Sequence, residues 1–102
     1  KIETIERIDK PVVLTMRDMW RLTGGCHYSM NCQQFKDNCG SCPILNSHKQ
    51  NDLSRKIWLR KKSSFRRDKL VFVAISNWLA ECAKESGLLK SSTVRVIQNG
   101  IN

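Results

Sequence analysis

Four of the chain's five cysteines share one stretch, spaced Cys26-x5-Cys32-x6-Cys39-x2-Cys42. Four sulfur ligands can complete the tetrahedron that zinc prefers, and the two-residue gap lets one turn present Cys39 and Cys42 to the same ion. Only that half of the array has the usual spacing of such sites. A structural zinc held by Cys26, Cys32, Cys39 and Cys42, with His27 in reserve, is one reading; free thiols and disulfides are the others. Disulfides need an oxidising compartment, which nothing in the chain implies. Cys39-Gly-Ser-Cys42 also has the form of a redox pair, but Pro43 follows where such motifs normally open a helix. Cys82 lies outside the array and is expected in the core.

The same stretch carries other groups able to do chemistry. His27 beside Tyr28 can serve as an acid, a base or a ligand group in a cleft, or simply as a hydrogen-bonding surface pair. Gly24-Gly25 can bring backbone amides close to an anion or a sugar, or form a plain turn. Trp20 can stack on a sugar ring or shield the base of the loop. Asp18 directly follows a strand-like run, and the carboxyl ends of strands are where α/β proteins meet their ligands.

The elements that position these groups follow from the pattern. Ile2, Ile5 and Ile8 suit the last turns of an amphipathic helix, stopped at Lys10-Pro11. Val12 to Met16 reads as a buried strand. A long cysteine-rich loop, about 17–49, follows it. Asn51 or Asp52 can cap a helix towards Phe65, with Leu53, Ile57, Trp58 and Phe65 on its apolar side. Leu70 to Ile75 is near-continuously apolar, as in a parallel strand covered on both faces. Ser76 can cap a second helix whose stripe is Trp78, Leu79, Cys82 and Ala83, and Gly87 fits a left-handed terminus. Val94 to Ile97 is a third strand, ended by a turn at Asn99-Gly100. Strands alternating with helices predict an α/β fold with a parallel sheet, residues 1–102 forming one partial domain, about half of a doubly wound one.

Length and charge narrow the class. One hundred and two residues suit a single small domain. No apolar run approaches the roughly 20 residues needed to span a bilayer, and the opening Lys-Ile-Glu-Thr-Ile-Glu-Arg does not read as a signal peptide. The start without Met, at what looks like a helix tail, predicts a piece of something longer. The formal charge is +9, with much of the excess at Arg55, Lys56, Arg60, Lys61, Lys62, Arg66, Arg67 and Lys69. This run is either a solvated helix face or a surface for polyanions, anionic lipid ahead of nucleic acid. There is no Gly-x-Gly-x-x-Gly, no phosphate-binding Gly-x-x-x-x-Gly-Lys and no His-Glu-x-x-His.

Several segments together resemble a known family. Lys10-Pro-Val-Val-Leu-Thr-Met-Arg-Asp-Met-Trp, Thr23-Gly-Gly-Cys-His-Tyr, Cys39-Gly-Ser-Cys-Pro, Asp52-Leu-Ser-Arg, Ile75-Ser-Asn-Trp-Leu-Ala and Val96-Ile-Gln-Asn-Gly-Ile-Asn occur in the order seen in bacterial family 4 glycosyltransferases of the GT-B type. The resemblance implies the second half of a Rossmann-like, acceptor-side N-terminal domain, with the chain passing near Asn99-Gly100-Ile101 towards a donor-binding domain. It implies a retaining enzyme that needs no catalytic metal. Sugar would move from a nucleotide-sugar donor, held by the absent C-terminal domain, to a glycan or lipid-linked acceptor. The setting would be capsule, O-antigen or exopolysaccharide synthesis, in the cytoplasm or at the inner face of the membrane. On this reading the fragment alone is inactive, and nucleic acid is not its partner. The family pattern has His where this chain has Arg17. Arginine stays protonated, so Arg17 would act on the reacting sugar's surroundings electrostatically, alongside Asp18. A small zinc-stapled module binding nucleic acid and a non-catalytic glycosyltransferase remnant are the competing readings.

Overall fold

β2 (Leu70–Ala74) is the middle of the molecule, and its sequence Leu-Val-Phe-Val-Ala shows why. It pairs in parallel with β1 (Val12–Met16) on one side and with β3 (Thr93–Val96) on the other, giving the order β1-β2-β3. The register runs from Val12 opposite Leu70 to Met16 opposite Ala74, and from Val71 opposite Thr93 to Ala74 opposite Val96. A central parallel strand is covered on both faces, so a continuous apolar run is stable there. β3 is an edge, and its Thr-Val-Arg-Val is correspondingly exposed. The computed structural model describes residues 1–66 and 68–100; Arg67 of the basic run and Ile101 of the expected passage towards a donor domain lie outside them.

Helices α1 (Leu53–Ser64) and α2 (Asn77–Glu85) follow the expected caps. Asp52 accepts the Arg55 amide at 3.0 Å, and Ser76 accepts the Leu79 amide at 3.1 Å. α2 packs on β2 and β3 through Leu79, Ala80 and Ala83. Trp78, expected on that apolar stripe, instead faces outward, and Cys82 is only partly buried against the core. α1 buries Ser54, Trp58, Lys61 and Ser64, and leaves Leu53 exposed. The buried side is therefore rotated from the expected one, because Trp58 and not Leu53 sets the contact line. Trp58, Phe35, Phe65, Phe72, Met16, Met19, Leu22 and Leu89 form the centre of the core, with Phe65 edge-on to Phe72 at 5.2 Å.

Three local expectations change. The N-terminal isoleucines lie on a 3-10 helix, Ile2–Arg7, in which only Ile5 is buried. A three-residue turn eclipses side chains three apart, so the spacing of three fits it as well as an α-helix. Gly87 does not take a left-handed conformation. It is needed for close approach, since a Cβ there would stand 2.6 Å from the Asp37 carbonyl oxygen and 2.9 Å from the Trp58 ring. Residues 97–100 run on without the turn expected at Asn99-Gly100.

Candidate functional site

Because β1 and β2 are parallel, their carboxyl ends open on the same side of the sheet, where α/β folds place their ligands. The chain leaves β1 at Met16 and does not enter α1 until Leu53, with only short 3-10 turns at Trp20–Leu22 and Gln34–Lys36 between. At the start of this segment Asp18 and His27 meet, Oδ2 to Nδ1 at 2.8 Å. A backbone bond from the Met19 amide to the His27 carbonyl, 2.7 Å long, holds the two ends of the loop together. The other Asp18 oxygen accepts the Trp20 amide at 2.8 Å. The His27 hydrogen bond, joined by that of Trp20, holds the Asp18 carboxyl below its ordinary range. An ionised carboxylate only accepts, so Nδ1 is the donor, and in the neutral imidazole Nε2 keeps the lone pair. The imidazole is 69% exposed, so that lone pair faces a ligand or solvent.

Tyr28 stacks on Trp78, ring centroids 6.3 Å apart, and both side chains are largely exposed. Tyr28 belongs to the loop after β1, and Trp78 to the first turn of the helix after β2. The aromatic pair thus bridges the two strand ends. Trp78 was missed as a site residue because its spacing matched the core stripe of α2; its place one turn from the Ser76 cap, directly after a strand, was the available signal.

The other expected site residues are engaged differently. Among the described residues, nothing bonds to the exposed Arg17 guanidinium, which is not drawn into the Asp18–His27 pair. One face of Trp20 is covered by the Lys61 ammonium at 3.5 Å. The Gly24 amide donates to Cys39 Sγ at 3.1 Å, and the Gly25 amide to Thr23 Oγ1 at 3.2 Å, so neither is open to an incoming anion. Cys26, Cys32, Cys39 and Cys42 all border one cavity of about 230 Å³, together with Phe35 and Leu53. None is in a disulfide. Burial pushes the Cys39 thiol up to about 11, and the other three thiols push it the same way. His27 does not border that cavity. Among the described residues, no three His, Cys, Asp or Glu side chains are drawn together as a ready-made metal cluster.

The basic run is not a uniform solvated face. Lys61 is fully buried and donates to the carbonyls of Trp20 and Thr23. Arg60 pairs with Glu3, Arg55 donates to the Cys39 carbonyl, and Lys62 lies over the Trp58 ring. Lys56, Arg66 and Lys69 remain exposed. Among the described residues, no helix is long and apolar enough to cross a membrane.

Asp52 joins this site to α1. It accepts from Ser54 Oγ at 2.6 Å and from the Arg55 and Cys42 amides. The Ser54 bond first, then that of Cys42, holds its carboxyl well below the usual range. Between that depressed value and roughly pH 4, the unfolded chain binds the proton that the folded chain refuses, so stability falls as the solution is acidified through this window. Asp52→Asn keeps a capping oxygen but loses the charge and its second acceptor. Denaturant midpoints taken from ~pH 6 down to ~pH 2 should fall less steeply for Asp52→Asn than for the wild type.

No protein-family model matches the chain, and no solved structure matches it. Among curated proteins, the chain is 28% identical over 99 residues to an Escherichia coli (strain K12) protein provisionally named colanic acid biosynthesis glycosyl transferase WcaC. The match covers 92% of this chain but 24% of that protein. The chain therefore spans about a quarter of the relative's length and is glycosyltransferase-like along nearly all of its own.

Proposed function

We propose that this chain is part of the acceptor-side domain of a nucleotide-sugar-dependent glycosyltransferase that builds a bacterial surface polysaccharide. The observation that carries the reading is the match to WcaC across nearly the whole chain. The Asp18–His27 pair at the carboxyl end of β1 supports it with suitable chemistry. His27 Nε2 accepts a hydrogen bond or a proton from a sugar hydroxyl, while Asp18 fixes the ring and stabilises the imidazolium that forms. Arg17, exposed beside them, offers a permanent positive charge to a phosphate or carboxylate of donor or acceptor. In the finer form of the proposal the enzyme is of the retaining GT-B type, and a second domain binds the nucleotide-sugar donor. It works in the cytoplasm, with the exposed Lys56, Arg66 and Lys69 touching an anionic membrane surface.

The test uses the full-length protein and membranes of its host. Radiolabelled nucleoside-diphosphate sugars are offered with host lipid extract as acceptor, and a deletion strain is scored for surface polysaccharide. The expected result is label transfer to lipid, lost polysaccharide in the deletion strain, and turnover lowered roughly 100-fold by His27→Ala. No transfer from any donor, with polysaccharide unchanged in amount and sugar composition, would overturn the reading.

A further inference from the structure

We propose that Cys26, Cys32, Cys39 and Cys42 bind one zinc ion that braces the segment between β1 and α1. The inference is independent of the glycosyltransferase reading. All four thiols border a single cavity, whereas the fifth, Cys82, sits on α2 with Lys36, Glu81 and Glu85 as its charged neighbours.

The backbone is built to bring the two halves of this set together. Gly24 lies so close to the second half that a Cβ on it would stand 2.9 Å from the Cys39 Cβ. Its amide already points at Cys39 Sγ, a bond that favours the thiolate and recurs around metal-bound sulfur as an outer partner. The Cys39-Gly-Ser-Cys42 turn is clamped along its length. Arg55 Nε donates to the Cys39 carbonyl at 2.6 Å, the Ser41 amide to the Lys49 carbonyl at 3.0 Å, and the Cys42 amide to Asp52 Oδ2 at 2.9 Å. Gly40 fits only because it has no Cβ, which would meet the Gln50 carbonyl oxygen at 2.5 Å. Ser41 takes a left-handed φ of 42°, closing the turn tightly.

The segment also needs a brace. It contains neither α-helix nor strand; Met19, Leu22 and Phe35 anchor it in the core, but Met30, Ile44 and Leu45, which flank the cysteines, are exposed. A loop of this length is uncommon unless something orders the part that the core does not hold. Four sulfur donors with no carboxylate or imidazole select zinc among the common divalent ions, and leave no open position for a reactive water. The ion is structural. Binding draws the thiols in from the cavity wall by side-chain rotation and releases their protons to solvent.

Protein purified without a metal-affinity step, in zinc-supplemented buffer, should retain about one zinc per chain by elemental analysis. Cobalt should substitute for it, giving sulfur-to-cobalt charge-transfer bands and the visible bands of a tetrahedral site, and zinc should bleach them. Cys26→Ser, Cys32→Ser, Cys39→Ser or Cys42→Ser should cut retained zinc below about a tenth of the wild-type content, while Cys82→Ser leaves it unchanged. Where a serine variant does not fold, the wild-type cobalt spectrum still decides. Wild-type protein holding less than about a tenth of an equivalent of zinc and giving no cobalt bands would overturn the site; so would equal loss of zinc in Cys82→Ser.

Discussion

Replacing Lys61 by methionine should destabilise the protein by about 3 kcal/mol, although it removes a charge from a run of basic residues. Lys61 is fully buried. Its ammonium donates to the carbonyls of Trp20 and Thr23 and lies over the Trp20 ring. These two carbonyls belong to the loop that also positions Asp18 and His27, and the lysine ties that loop to the last turn of α1. Methionine fills nearly the same volume, so the cavity term is small and the loss comes from orphaned buried acceptors. Lys61→Ala adds a cavity and should cost more. Burial, then the charge of Arg21, pulls the Lys61 ammonium down to about 8. The unfolded chain holds this proton up to roughly pH 10.4, so stability rises with pH between the two values. Denaturant midpoints across that window should rise in the wild type relative to Lys61→Met. A solvated lysine would show neither the loss nor the slope.

Lys61 also marks where the sequence stops being readable. In Leu53–Ser64 it is one of three basic residues after Trp58, and composition alone assigns all of them to solvent. Only the spacing of Trp58, Lys61 and Phe65 along one face hints that the lysine points inward. By contrast, both helix caps and the central strand were legible, because a capping side chain and an apolar run act over a few neighbouring residues. What depends on distant approach was not. Gly87 was identified as special for its backbone freedom, whereas its role is contact with Asp37 and Trp58. The left-handed turns fall at Met30, Ser41, Asn46 and Lys69, and of these only the asparagine is a residue type that gives such a signal. Asp18 and His27 were each visible as reactive groups, but their pairing depends on a backbone bond from Met19 that no local pattern announces.

The second large effect is expected at Gly24, whose partner Gly25 serves as its control. A Cβ on Gly24 would stand 2.3 Å from the Ser54 carbonyl oxygen and 2.9 Å from the Cys39 Cβ. One obstacle is backbone in the first turn of α1 and the other is the root of a side chain, so rotation relieves neither. Gly24→Ala should therefore cost about 3 kcal/mol, at the upper end for an added methyl in a close-packed site. On Gly25 the added methyl meets nothing, and the penalty comes from its φ of 152° alone, about 1 kcal/mol. The difference between the two alanine variants, read from denaturant midpoints, measures how tightly the Gly24 backbone is pressed against α1. It bears on the site as well. Backing Gly24 away from α1 breaks its amide bond to Cys39 and separates the two cysteine pairs, so Gly24→Ala should weaken zinc retention while Gly25→Ala spares it. Equal stability of the two variants would show that the loop stands off from the helix, and that the cysteines are not held facing one cavity.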